Sequence, residues 1–125
     1  GIVRTAIELK VGRDTRLDDY PVLTSRIIFD LAKENDIVAL DAVDEMVEKL
    51  STALSQIANT INPEAFVIGG GVSKAGSFLL DRLEKRFKEL AFFSVRNVNF
   101  ELAQLGNDAG IYGNMYRVSK ELYGN

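Results

Sequence analysis

The 125-residue chain contains no cysteine and no histidine. The first absence excludes disulfides, and with them a secreted fold stapled by cross-links. The two together exclude a zinc site built from Cys or His within the chain, a Ser-His-Asp triad and an imidazole base. No apolar run approaches the roughly 20 residues that a bilayer span requires, and the opening residues do not read as a signal peptide. Basic residues are not concentrated anywhere. Fifteen Lys and Arg against 18 Asp and Glu leave a formal net charge of -3, which is no footprint for a nucleic acid. The expectation is a protein of the reducing cytoplasm with neither nucleic acid nor membrane as partner.

What is present reads as one globular domain or less: 46% of residues are hydrophobic and 26% charged, enough for a core and a wet exterior. The opening, "GIVRTAIELKVG", has no initiator Met and starts in mid-pattern, as the tail of something longer would. Ile2, Ala6 and Leu9 recur at helical spacing, as do Val3 and Ile7, and predict a short helix over 2–9. The stretch 10–23, with Gly12, several Asp and Pro21, reads as a loop. Thr24 then caps a helix from Ser25 to about Lys33. Asp36 caps the longest element, residues 37–61, where Leu40, Val43, Val47, Leu50, Leu54, Ile57 and Ile61 make one apolar stripe. Asp41, Glu45, Glu48, Thr52 and Asn59 fall opposite. Their carboxylates resemble an acid pair or a metal site, but the plainer reading is a solvated face on which Glu45 meets Lys49 one turn on. Asn62-Pro63 stops the helix, because Pro63 bars Asn62 from the right-handed helical region.

Phe66, Val67 and Ile68 form a short continuous apolar run, as in a strand covered on both faces of a parallel sheet. A helix is expected from about Ser73 to Leu90, with Leu79, Leu80, Leu83, Phe87 and Leu90 on one stripe, and Asp81–Lys85 and Glu84–Lys88 as exposed pairs. Val98, Phe100 and Leu102 alternate with Asn99 and Glu101 as a second strand. A last helix is expected over 108–122 through Ile111, Met115, Val118 and Leu122. Strand, helix and strand in that order predict a parallel βαβ unit.

Two glycine clusters follow the two strands. Gly69, Gly70 and Gly71 stand where a parallel strand ends and its crossover helix begins, the place where α/β sheets collect ligands. A tight turn is satisfied by one glycine; three in a row favour the close approach of a ligand to bare backbone. The pattern is neither GxGxxG nor a P-loop, which would need Lys and Ser or Thr. In "LGNDAGIYG", Asn107 or Asp108 is a good N-cap. Gly110 and Gly113, three apart, clear one helix face, for a packed neighbour or for a ligand against the Gly106–Asn107–Asp108 corner. Both clusters would open on the same sheet edge, so one ligand touching both is the economical expectation.

"INPEAFVIGGGVSKAG", "AFFSVRN" and "LGNDAGIYG", in that order and separation, closely resemble the C-terminal part of bacterial glucokinases of the ROK family (repressors, open reading frames and kinases). The resemblance covers most of the chain and is strongest from Asn62 to Gly113. It implies an α/β chain that is part of an actin-like, ribonuclease-H-like ATPase-domain fold of two lobes, with ATP in the cleft. The implied reaction is phosphorylation of a sugar 6-hydroxyl by ATP with Mg²⁺. By similarity, Gly69, Gly70, Gly71 and Val72 line the adenosine pocket, while Asn107 and Asp108 shape the neighbouring turn. The family's phosphate loop, catalytic Asp, sugar-binding Glu and His, and Cys-rich zinc motif belong upstream. Residues 1–125 are therefore expected to be the C-terminal portion of a sugar kinase, holding one side of the nucleotide site and no catalytic residue. A structural zinc would also lie upstream, and the parent protein is expected to be a homodimer. The resemblance carries a second possibility, a sugar-responsive repressor of the same family. Phe93 stands where these glucokinases often have Pro, and Asn114 and Met115 replace small residues.

Overall fold

A computed structural model describes residues 1–69, 75–91 and 98–102, and the backbone of 115–118. Its first half is helical: α1 (Ile2–Leu9), a 3-10 turn (Arg16–Asp19), α2 (Ser25–Lys33) and α3 (Ile37–Ile61). Strand β1 (Ala65–Ile68), helix α4 (Ser77–Leu90), β2 (Asn99–Leu102) and β3 (Met115–Val118) follow. The strands form one sheet in the order β2-β1-β3, and both pairings are parallel. The expected βαβ unit is therefore present, with Ala65 opposite Asn99 and Ile68 opposite Leu102.

The helix boundaries follow local chemistry. The Thr24 hydroxyl accepts from the Ile27 amide at 3.2 Å and opens α2. Asn35, at φ 69, closes it: the Asn35 amide donates to the Ala32 carbonyl and the Asp36 amide to that of Leu31, the paired bonds of a Schellman turn. Asp36 then opens α3, its carboxylate accepting from the Ala39 amide at 3.0 Å. The same carboxylate accepts from the Thr15 hydroxyl at 2.7 Å and the Arg16 amide at 2.9 Å, which ties the preceding loop to the α2–α3 junction. At the far end Asn62 takes a left-handed conformation, φ 46 and ψ 62, just before Pro63.

Two hydrophobic clusters fill the molecule. One packs Ile2 and Ala6 of α1, Leu17 of the 3-10 turn, Ile28 and Leu31 of α2, and the N-terminal half of α3. Leu17 is fully buried, so the segment read as a plain loop carries an anchor of the core. The other lies under the sheet, where Leu50, Leu54 and Ala58 of α3 and Leu83 and Phe87 of α4 meet Phe66 and Ile68 of β1 and Phe100 of β2. Phe66, Phe87 and Phe100 pack ring against ring, with centroids 5.6, 5.4 and 5.2 Å apart and steeply inclined planes, the arrangement the ring quadrupole favours. All four β1 residues are buried, as the unbroken apolar run required, whereas β2 alternates, with Asn99 and Glu101 exposed.

Two expectations are corrected. α4 begins at Ser77 and not near Ser73, because Gly76, at φ 64 and ψ -145, cannot belong to a right-handed helix. Residues 115–118 of the expected last helix form β3, paired along the second edge of β1. Gly110 and Gly113 weaken a helix there by about 1 kcal/mol each, and Tyr116 and Val118 favour extended backbone. The rest of 108–122 lies outside the described residues.

Truncating Phe66 to Ala removes the ring that both other aromatics lean on. The expected loss is about 3–5 kcal/mol in urea unfolding, with Phe66→Leu much milder. At Asp36, burial alone would raise the pKa, but the hydrogen bonds from Ala39, Thr15 and Arg16, with the Arg16 charge, outweigh it and hold the carboxyl below its ordinary value. A depressed folded pKa means stability that is complete above the ordinary value of 3.8 and lost as pH falls below it through the folded value. Asp36→Ala should cost about 1–2 kcal/mol near pH 7, and its deficit relative to wild type should shrink on acidification through that window in denaturation curves.

Candidate functional site

Parallel pairing places the carboxyl ends of β1 and β2 side by side, with Ile68 opposite Leu102. Gly69 is the next residue after Ile68 and is half-buried. Gly70, Gly71, Val72, Gly106, Asn107 and Asp108 lie outside the described residues. The structure sets the strand ends that precede them, Ile68 and Leu102, side by side and running the same way.

Gly76, the residue before α4, was placed inside a helix by residue pattern. Its dihedrals fall where side-chain-bearing residues essentially do not go. A Cβ built there meets no atom within 4 Å, so the backbone conformation, and not crowding, demands glycine. The signal was available only in part: a glycine within a helical pattern lowers the expectation of helix at that point.

The acidic face of α3 is resolved as a surface of ion pairs. Asp41 meets Arg13 at 2.8 Å and Glu45 meets Lys49 at 3.1 Å. Glu48 receives a two-pronged bond from Arg86 of α4, at 2.6 and 2.9 Å. The hydrogen bonds from Arg86 hold the Glu48 carboxyl below its ordinary range. Asp41, Glu45 and Glu48 are thus each matched to a cation. Among the described residues no group of three or more Asp, Glu, His or Cys side chains is placed to hold a metal. A cavity of about 140 Å³ lies between the start of α1 and the middle of α3, lined by Ile2, Thr5, Glu45, Met46 and Lys49. Its Glu45 and Lys49 side chains pair with each other.

The ROK family model matches residues 4–121. The chain belongs to the ROK family. A glucokinase of Halalkalibacterium halodurans is 39% identical over 127 residues, covering 97% of this chain and 38% of that protein. A xylose repressor of Caldicellulosiruptor bescii is 30% identical over 93 residues, covering 74% of this chain and 23% of that protein. A solved ROK family glucokinase from Streptomyces griseus, in complex with glucose and AMPPNP, superposes with a TM-score of 0.69 at 28% identity, over 87% of this chain and 38% of that one. This ROK chain therefore spans less than two fifths of the length of these relatives. Its parallel sheet and flanking helices are part of the actin-like ATPase fold of ROK sugar kinases.

Because space is open at Gly76, the cost of a side chain there is backbone strain alone. Gly76→Ala should destabilise the chain by about 1–3 kcal/mol, and Gly76→Val should cost more, measured by thermal unfolding. Equal stability of all three would show that another conformation serves as well.

Proposed function

We propose that the chain supplies the adenosine side of the nucleotide site of an ATP-dependent hexose kinase, with glucose the preferred sugar. In this reading Gly69, Gly70, Gly71 and Val72 bring main chain against the purine or ribose, and Asn107 and Asp108 shape the adjoining turn. The observation that supports it is the pairing of the two strand ends: Ile68 and Leu102 are register partners in a parallel pair, and each precedes one of the glycine clusters in the sequence. The likeness to a glucokinase over nearly the whole chain supplies the chemistry.

The reaction is attack of the sugar 6-hydroxyl oxygen on the γ-phosphorus of ATP, with ADP leaving. Such transfer depends on positioning, charge neutralisation and a base acting together. Mg²⁺ would accompany the nucleotide, and no described residue is assigned to it. A zinc site would have to be built elsewhere in the parent protein, since this chain has neither Cys nor His. Residues 1–125 are read as the C-terminal portion of that parent, a cytoplasmic homodimer, and as inactive by themselves.

The xylose repressor among the relatives favours a second reading, a sugar-responsive regulator. Its likeness covers less of the chain than that of the glucokinase, 74% against 97%, which puts the kinase first. A phosphate loop in the residues preceding this chain in the parent would mark the kinase; a helix-turn-helix would mark the repressor.

Titration of the chain with ATP, ADP and AMP, followed by amide chemical shifts, should move resonances at residues 69–73 and 106–110, with no glucose 6-phosphate formed when glucose is added. Shifts confined to other regions would refute the nucleotide site, and turnover of glucose would refute the assignment of catalysis to residues outside the chain.

A further inference from the structure

Between α1 and α2 the chain is buried at one spot. Of residues 11–22, Thr15 and Leu17 alone are buried. Val11 and Val22, on either side, are 77% and 72% exposed, so the flanks add little to the core. Leu17 is fully buried in the helical cluster, among residues of α1, α2 and α3. Just before it, the Thr15 hydroxyl donates to Asp36 Oδ2 at 2.7 Å and the Arg16 amide donates to Asp36 Oδ1 at 2.9 Å. A carboxylate pin and an apolar plug thus act on three consecutive residues. Leu17 cannot leave its socket while its two neighbours stay on Asp36.

Internal bonds tie the rest of the segment to the plug. The Leu17 amide donates to Thr15 Oγ1 at 3.2 Å, the Asp18 amide to the Thr15 carbonyl at 3.3 Å, and the Tyr20 amide to the Leu17 carbonyl at 3.3 Å. The outer ion pairs, Lys10–Asp18, Arg13–Asp41 and Arg16–Glu34, are open to solvent, where such pairs contribute little. Where the chain leaves α1, Gly12 stands at φ 72 with nothing near the position of a side chain, a point at which the backbone can swivel. The helices beneath pack on one another directly in the helical cluster, and no residue of the segment belongs to the cluster under the sheet.

We propose that residues 12–20 form a latch: pinned by Asp36 and plugged by Leu17, it opens as one unit from Gly12 while the helices beneath stay folded. Opening bares the socket of Leu17 in the helical cluster. Asp36 goes on capping α3 through the Ala39 amide in the open state.

Native-state hydrogen exchange on the full chain tests the latch. The amides of Arg16, Leu17, Asp18 and Tyr20 should share one opening constant, at least about tenfold above that of Leu54 in α3. Low urea should barely change it, because a small opening exposes little surface. Asp36→Asn should raise the shared constant about tenfold or more. Asparagine caps a helix as well as aspartate does, but its single carbonyl oxygen cannot replace both oxygens of the carboxylate. Arg13→Gln, which removes an outer ion pair, should change the constant by less than about fivefold. The chain has no cysteine, so Leu17→Cys puts a single thiol in the plug. Its labelling by an aromatic disulfide reagent should quicken about tenfold when Asp36→Asn is added. Four unrelated constants, or acceleration of Arg16 alone by Asp36→Asn, would overturn opening as a unit. Constants equal to that of Leu54 would overturn local opening, and a larger effect from Arg13→Gln than from Asp36→Asn would overturn the pin. The exchange of the wild-type chain decides the first two points even where Leu17→Cys fails to fold.

Discussion

A single helix has to serve two hydrophobic cores. α3 runs for 25 residues, about 37 Å at the rise of an α-helix, and its apolar stripe changes partners midway. Val38, Ala39, Ala42, Val43 and Val47 face α1 and α2; Leu50, Leu54 and Ala58 face the sheet and α4. The strand that leads to the glycine corner starts just after α3 ends, so the position of β1 is set by how α3 lies. Ser51, buried where the partners change, donates to the Leu83 carbonyl of α4 at 3.5 Å, and the Glu48–Arg86 fork joins the same two helices on the wet side. α3 and α4 thus form a pair fixed on its buried and exposed faces, with the sheet lying across it.

Asp36 sets where that long helix begins. Its amide closes α2, its carboxylate opens α3, and the same carboxylate gathers Thr15 and Arg16 from the loop before. Thr15 in turn caps the 3-10 turn that carries the buried Leu17. Three segments that share the helical cluster are also registered by one ionised group, and the resulting hydrogen bonds satisfy it well enough to overcome its partial burial. Farther along the chain, Ile68 at the end of β1 is held in the cluster under the sheet, while Ala75 and Leu79 at the start of α4 are held in the helical one.

Much of this was legible from residue pattern alone. Thr24, Asp36 and Asn62-Pro63 marked helix limits because capping is a local hydrogen-bond matter that reads the same in any context. Phe66–Ile68 announced a buried central strand because an unbroken apolar run cannot face water on alternate sides. The Glu45–Lys49 and Glu84–Lys88 pairs followed from helical spacing. Less legible was Leu17, an isolated apolar residue among Asp and Arg, with no period to reveal it. Gly76 was absorbed into a helix because the period of Leu79, Leu80 and Leu83 does not say where the first turn before them starts. Met115 and Val118 fit a helical stripe as well as a strand, a short span on which periodicity does not arbitrate. Of the candidate site residues, Gly69 stands at the strand end where pattern had put it, and the others lie outside the described residues.

The amino-acid order by itself determined the helices of the first half, the parallel βαβ unit and the family. These rest on capping groups, on the period of apolar residues and on a motif, all of which act over a few residues of chain. Only the tertiary structure decided which half of α3 serves which core, that Arg86 and not a neighbour on α3 pairs with Glu48, and that α4 starts at Ser77. Those outcomes depend on surfaces brought together from distant parts of the chain, whose fit no local period encodes.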